Sequence, residues 1–390
     1  MEATTILNSL AWAHGQNKTF QEALKYLKAS YEITPSAETL VNMTVAYKAN
    51  WEMDKVLEYS LKALEINPNS KVYDTLIFCY QQLCDDKKVI EYIHKGLKYN
   101  PEDLNVLFHR AIYYMNKGQF KEGWIDWLSR ESRRLHLSEM KKNFPTKPEW
   151  DGKSNPGKLL VIGEHGLGDQ ILFCRYLKGI SKHTIFLTRN SLIRLFKKAK
   201  FDVKFLLDET CLMPEFDSWI GIESLPYVLN EPIRKVSGSY LPSKYQPRKI
   251  KNIGICWENK NPPEPYRGME WNKFEPIIDH KRFKYTSLQF NKICPDSKID
   301  STQMLKSKDI LDTSNIMDNL DLVITVDSVL AHLSAAKGIP TWVLRSKPYE
   351  WRFGETGQTP WYDNVKVYRQ DIIKDWNKPI NMVKKDLLDV

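Results

Sequence analysis

The sequence predicts a helical solenoid followed by two α/β sheets, and three observations carry that prediction. Pro35, Pro68 and Pro101 recur at an interval of 33 residues, each closing a helical-looking segment (YEITP, LEINP, LKYNP). The stretch FPTKPEWDGKSNPGK, residues 144–158, then stops any helix with its prolines and glycines. Beyond it, apolar runs of strand length alternate with segments of helical periodicity.

The 390 residues are 42% hydrophobic and 12% aromatic, enough to bury several cores and to exclude disorder as a general description. The formal charge of +9 is concentrated in residues 151–200, where ten Lys/Arg stand against three Asp/Glu, while residues 1–100 sum to −1. Cys79, Cys84, Cys174, Cys211, Cys256 and Cys294 lie in apolar runs with no CxxC pair and no zinc-type Cys/His spacing. Reduced, packed thiols in a cytoplasmic protein are therefore predicted. Glu2 stands where a signal peptide would be basic, and Asp327, His332 and Lys337 interrupt the best apolar stretch, 321–344. No transmembrane insertion is predicted.

Aligned on the three prolines, Leu7/Leu10, Leu40/Met43 and Tyr73/Leu76 form one column, His14, Tyr47 and Tyr80 a second, and Ala23, Val56 and Val89 a third. The period is similar to that of tetratricopeptide repeats, in which each helix pair buries its apolar face only against a neighbour. In a fourth unit, HRAIYYMNKGQFKEGWIDW, Gly118 and Phe120 precede Gly123 and Trp127 at the family's turn spacing. A capping helix is expected through 130–142. Its Arg130, Arg133, Arg134, Lys141 and Lys142 read either as a solvated face or as a basic ridge turned towards an acceptor.

After the linker, strands are expected at 159–163 and 184–188 with helices at 170–179 and 191–200, the alternation of a Rossmann-like unit. A second run has strands at 252–257, 285–290, 321–327 and 341–345 and a helix at 328–337, with a Pro-punctuated hinge at 240–251 between the two runs. The expected organisation is a repeat array with its cap over 1–143, a linker over 144–158, α/β halves over 159–245 and 246–370, and a C-terminal helix in 371–390. Ligands of such sheets bind beyond the carboxyl ends of strands.

The first strand leads into Gly163-Glu164-His165-Gly166-Leu167-Gly168-Asp169. A phosphate-binding P-loop would place Lys and then Ser/Thr after Gly168, and a dinucleotide fingerprint would read GxGxxG, not the GxxGxG found here. Thr188-Arg189 also ends the second strand where a ribose-binding acid would stand. Two readings remain: Asp169 or His165 is a general base at a cleft mouth, or Asp169 simply caps the next helix. The later strand ends in Asp327-Ser328 and opens a helix carrying His332 one turn on. This offers a hydroxyl and free N–H groups to a phosphate, or an ordinary N-cap and a core histidine.

The segments EHGLGDQILFCRYL, GICW, YTSLQ, LDLVITVDSVLAHLSAAKGIPTWVL and EWRFGETGQTPWYDNVKVYRQ together resemble the tetratricopeptide-fused glycosyltransferases of the GT-B fold, related to the heptosyltransferases of glycosyltransferase family 9. The resemblance covers about residues 4–380 in the same domain order. It implies an inverting, metal-independent transfer of a sugar from a nucleotide-sugar donor to an acceptor hydroxyl, with no cofactor. Gly168-Asp169 matches the family's Gly-Asp pair, making Asp169 the implied base, and Asp327, Ser328 and His332 match its diphosphate-holding segment. Trp257, with Lys260 and Arg267 beyond it, and Arg352 match further donor-side positions, and base recognition falls to loops that include Gln289. His165 replaces the family's usual Gln and offers a second candidate base. Asn259 stands where the family's glycine is usual, and Val329 and Leu330 where the heptosyltransferases have small residues.

The acceptor is a macromolecule under this reading: a protein or glycan delivered along the repeats, or a hydroxylated base in DNA. The DNA option rests on a basic patch of Arg189, Arg194, Lys197, Lys198 and Lys200 on the acceptor-side half, which is otherwise a solvated helix. A partner protein in the repeat groove is expected as well. The rival from another class is a non-catalytic scaffold with a degenerate GT-B domain.

Overall fold

The computed structural model describes residues 2–181, 183–199, 201, 203–207, 213–236, 238–259, 267–354 and 357–390. The chain divides into two units, Met1–Met115 and Asn116–Val390.

In the first unit the helices pair as α1 (Glu2–Gln16) with α2 (Phe20–Ile33), α3 (Ala37–Ala49) with α4 (Met53–Ile66), and α5 (Ser70–Leu83) with α6 (Asp86–Tyr99), and α7 (Leu104–Asn116) follows. The 33-residue period is written into three kinds of contact. Directly after Pro35 and Pro68, Ser36 and Asn69 are N-caps whose side chains accept the N–H groups of Thr39 and Val72 at 3.1 and 3.2 Å. Each hairpin turns on a residue in the left-handed region: Lys18, Trp51 and Cys84, with φ of 58°, 57° and 58°. Side chains at such positions cost about 1–2 kcal/mol each, and the fourth hairpin relieves the cost with Gly118 at 74°. Across each pair a ring stack repeats: His14 on Tyr26, Tyr47 on Tyr59 and Tyr80 on Tyr92, all with centroids 5.3 Å apart. Ala23, Val56 and Val89 are buried, as their column predicts.

The second unit opens with α8 (Phe120–Trp127) and α9 (Glu131–Asn143). A four-stranded parallel sheet follows in the order β3-β2-β1-β4, from β1 (Leu159–Ile162), β2 (Ile185–Thr188), β3 (Lys204–Leu207) and β4 (Ser218–Gly221). It carries α10 (Leu167–Phe173), α11 (Asn190–Lys198) and α12 (Leu225–Val228). The second sheet runs β6-β5-β7-β8-β10-β9, with β5 (Asn252–Cys256), β6 (Lys284–Ser287), β7 (Leu322–Val326), β8 (Thr341–Arg345) and β10 (Tyr362–Arg369) parallel and β9 (Gln358–Thr359) antiparallel at the edge. Its helices are α13 (Trp271–Phe274), α14 (Thr302–Leu305), α15 (Ile310–Met317), α16 (Val329–Ala336) and α17 (Asn377–Leu388). The chain is thus a tetratricopeptide-like helical array followed by two Rossmann-like parallel sheets. In the first sheet the strand order reverses between β1 and β4, in the second between β5 and β7, so both ligand crevices are fixed by topology.

The unit boundary falls well before the expected end of the array at residue 143. Met140 of α9 lies in the core of the first sheet with Leu160, Ile162, Ile185, Phe216 and Trp219. Trp124 of α8 packs edge-on against Phe173 at 5.8 Å, Trp351 at 5.6 Å and Trp361 at 6.3 Å. The expected linker is also bound in, since the Trp150 N–H donates to the Trp219 carbonyl at 2.8 Å and Trp219 N–H to that of Pro148 at 3.1 Å. Among the described residues no helix is long and apolar enough to cross a membrane.

Candidate active site

The turn after β1 is held from below by buried charge. The Glu164 carboxylate is clasped by the Arg130 guanidinium, Nε to Oε1 at 2.9 Å and Nη2 to Oε2 at 2.6 Å, and also accepts from Ser132 Oγ at 2.9 Å and the Glu223 N–H at 3.1 Å. Both side chains of the pair are fully buried. Arg130 is therefore neither solvated nor turned towards an acceptor, and Arg133 is likewise paired, with Glu149 at 2.7 Å.

His165, next in the chain, sits in the left-handed region at φ 48°. Its Nδ1 is 2.7 Å from Oε1 of Glu223, a fully buried carboxylate just beyond β4 whose Oε2 accepts Trp127 Nε1–H at 3.0 Å. The Glu223 charge outweighs burial and raises the imidazole to about 9, so at neutral pH His165 already holds its proton. Because its folded value lies above the ordinary 6.5, the pairing stabilises the fold fully below about pH 6.5 and is lost as pH rises through about 9. The stability difference between the wild type and His165→Gln, from urea unfolding at pH 6, 8 and 10, is expected to be largest at pH 6 and to vanish by pH 10. A difference that stays constant with pH contradicts the pairing.

Asp169 is the third residue of α10. Its Oδ2 accepts the N–H of the N-cap Gly166 at 3.0 Å, and its Oδ1 accepts Arg352 Nε–H at 2.6 Å. Asp169 therefore caps α10 from its third position with one carboxylate oxygen and meets Arg352 with the other. Burial works to raise this carboxyl, but the Arg352 guanidinium holds it below its ordinary value. Gly168 lies against the other half of the unit: a Cβ there would come 2.8 Å from His332 Cδ2. Its lack of a side chain lets α10 pack on α16.

At the end of β7, Ser328 is the N-cap of α16, its Oγ accepting the Leu330 N–H at 3.3 Å. His332 is stacked on Phe353 at 4.9 Å and bonded through Nδ1 to the Tyr362 hydroxyl at 3.0 Å. Burial lowers it to about 4, so it is neutral. Asp327 accepts from Arg267, Nε at 3.0 Å, and its backbone carbonyl accepts Asn259 Nδ2–H at 3.2 Å. Burial raises its carboxyl above the ordinary value despite that arginine. Glu350 stands between the two guanidiniums, 3.1 Å from Arg352 Nη1 and 3.6 Å from Arg267 Nη2. The order Asp169, Arg352, Glu350, Arg267, Asp327 is a seam of alternating charge from the end of β1 to the end of β7.

Asp169, His165, Gly168, Arg267, Asp327, Ser328, His332 and Arg352 are thus gathered at the facing carboxyl ends of β1 and β7. Other expected site residues are not. Trp257 is 1% exposed, packed edge-on against Trp271 at 4.9 Å in the second-sheet core, and offers a ligand no ring face. Gln289 spends its amide on the Glu258 backbone, accepting its N–H at 3.1 Å and donating to its carbonyl at 2.9 Å, so it shapes the loop after β5. Lys260 and Lys200 lie outside the described residues, as does Cys211. The basic patch divides: Arg194 pairs with Asp309 at 2.9 Å and Lys198 with Asn315 at 3.1 Å, tying α11 to the second half, while Arg189 reaches the His165 carbonyl at 3.5 Å and Lys197 is exposed.

Glu223 and Glu350 were not anticipated. Glu350 precedes the Trp351-Arg352 pair directly, and that adjacency was the available signal. Glu223 follows β4, a strand without a clear sequence signature. A cavity of about 330 Å³ opens beside the seam, lined by Glu258, Asn259, Gly268, Met269, Trp271 and Lys292 among others. Among the described residues no group of three or more His, Cys, Asp or Glu side chains could hold a metal ion.

No protein-family model matches the chain. Protein FlbA of Caulobacter vibrioides is 22% identical over an alignment 338 positions long that covers 74% of this chain and 56% of that protein, so the chain spans about half the length of this curated relative. Among solved structures, the dodecameric iron-containing glycosyltransferase TibC of enterotoxigenic E. coli H10407 is similar at 11% identity, covering 60% of this chain and 67% of that one, with a TM-score of 0.42. A mutant O-GlcNAc transferase of Thermobaculum terrenum is similar at 9% identity over 98% of this chain and 89% of that one, with a TM-score of 0.39. A tetratricopeptide repeat protein of Parabacteroides merdae is similar at 17% identity, covering 36% of this chain and 60% of that one, with a TM-score of 0.31.

Proposed function

We propose that this protein is an inverting, metal-independent glycosyltransferase that moves a sugar from a nucleotide-sugar donor to a hydroxyl of a macromolecular acceptor. The observation that carries the reading is that Asp169, at the end of one sheet, faces the Ser328 helix start and His332, at the end of the other, with two guanidiniums between them. The donor diphosphate lies at the α16 start, where N–H groups and the helix dipole favour an anion, and the nucleoside extends into the cavity lined by Trp271 and Asn259. Asp169 takes the proton of the acceptor hydroxyl as its oxygen bonds to the anomeric carbon. The bond from that carbon to the diphosphate breaks on the opposite face, which inverts the centre. The nucleoside diphosphate leaves with its charge met by Arg267 and Arg352. His165, already protonated, supports this charge instead of acting as the base.

The acceptor is a protein or glycan hydroxyl. With Arg194 and Lys198 spent on α15, the patch that a nucleic acid would require is reduced. The test is a thermal-shift screen of UDP, ADP, GDP and CMP with their sugars, against the wild type and His332→Ala. One nucleotide class is expected to stabilise only the wild type, by about 2.7 kcal/mol at a hundred times its dissociation constant. No stabilisation by any nucleotide overturns the proposal.

A further inference from the structure

We propose that Glu350 is an internal counter-ion for the donor: it is the carboxylate that a diphosphate replaces on Arg267 and Arg352, and its return expels the nucleoside diphosphate product. This rests on the donor-site reading above. Among the described residues each guanidinium of the seam is already shared between carboxylates, Arg352 by Asp169 and Glu350 and Arg267 by Asp327 and Glu350, so a diphosphate gains both arginines when one carboxylate gives them up.

The bonding singles out which one. Asp169 is tied into α10 by the Gly166 N–H and accepts Arg352 Nε–H at 2.6 Å. Asp327 ends β7, is 3% exposed and takes two hydrogen bonds from Arg267. Glu350 has neither anchor. It lies on the loop after β8, its carboxylate's hydrogen bonds among the described residues run to the N–H and Nη1–H of Arg352 in its own loop, at 3.1 Å each, and its approach to Arg267, at 3.6 Å, is the longest of these seam contacts. Its backbone N–H is meanwhile fixed by Asn116 Oδ1 at 3.0 Å, so the side chain can swing while the loop stays in place. Two guanidiniums that meet on one carboxylate, one at each of its oxygens, can each take a phosphate of a diphosphate, and a single phosphate serves as the reference.

The sign of the effect separates this role from simple support of the arginines. A support residue weakens anion binding when it is neutralised, whereas a competitor strengthens it. The probe is inorganic pyrophosphate, titrated calorimetrically into the full-length wild type, Glu350→Gln and Glu350→Asp, with phosphate as reference. Glu350→Gln is expected to bind pyrophosphate about tenfold or more tightly than the wild type, and Glu350→Asp, which keeps the charge, within about twofold of it. With a nucleotide-sugar donor, kcat and KM should fall together in Glu350→Gln as product release slows. Should that variant fail to fold, Glu350→Ser removes the same charge. Unchanged or weaker pyrophosphate binding in the neutral variant, or none in any form, overturns the proposal. The pyrophosphate arm involves no sugar and no transfer, so failure of the glycosyltransferase reading shows separately, as absence of nucleotide-sugar binding and consumption.

Discussion

Asp169→Asn is expected to lower the rate of sugar transfer by about 10²–10⁴-fold, the usual span of general-base catalysis. Donor affinity should stay within a few-fold of the wild type. The asymmetry follows from what the carboxylate does. Asparagine keeps one acceptor oxygen, enough for the Gly166 N–H that caps α10, while its NH2 group cannot accept from Arg352, which keeps its bonds to Glu350. What it lacks is a lone pair basic enough to accept the acceptor's proton. Arg352 holds Asp169 below its ordinary value, which makes it a weak base for as long as that bond persists. A donor diphosphate that takes the place of Glu350 on Arg352 Nη1 shares that guanidinium's charge and so raises the basicity of Asp169 as the reaction complex assembles. Initial rates at saturating donor, with affinity measured independently, check both halves of the prediction. Full activity in the variant removes Asp169 from the role. His165 does not inherit it at neutral pH, because Glu223 keeps it protonated.

Arg130→Ala should destabilise the second unit by about 3–5 kcal/mol, the cost of leaving a buried charge without its partner. The Glu164 carboxylate has no route to water, and Ser132 and the Glu223 N–H do not neutralise it. Replacing both members by neutral side chains of similar volume, Arg130→Met with Glu164→Gln, should recover most of the loss, since the pair repays its own desolvation only narrowly. Denaturant unfolding followed by tryptophan fluorescence reads the effect, because ten of the twelve tryptophans lie beyond residue 115. A double variant as unstable as the single one would show that packing, not charge, is at stake.

The sequence made most of the frame legible because its periodicities are strong. The 33-residue prolines, the Ser36 and Asn69 caps and the stacked ring columns are one signal seen at three levels. The strands β1, β5, β7 and β8 are apolar runs buried almost throughout, and the ends of β1, β5 and β7 are among the places where the sequence expects a ligand. Legibility failed where a side chain's partner is distant in sequence. Trp257 stands one residue past a strand and looked available to a ligand, but Trp271 and Phe274 close over it. Arg130 has the helical spacing of a surface charge, and only the fold brings Glu164 to it. The basic run in α11 suggested a field facing outwards, whereas Asp309 and Asn315, more than a hundred residues later, absorb part of it. Pattern shows which face of an element is apolar, and not which charged group from another segment will meet its polar face.

The position of the boundary, between Met115 and Asn116 and not after α9, bears on modular engineering of this chain. Residues 116–143 look like the last hairpin of the array, yet they supply Trp124, Trp127, Arg130 and Met140 to the unit that carries the site. A chimera that exchanges whole repeat arrays at residue 143 would remove the clasp on the β1 turn and the aromatic support of the Trp351-Arg352 loop along with the repeats. A graft made at residue 116 preserves both. Repeat arrays can therefore be exchanged at the earlier junction, whereas the later one, which the linker's composition advertises, cuts through the unit that carries the candidate site.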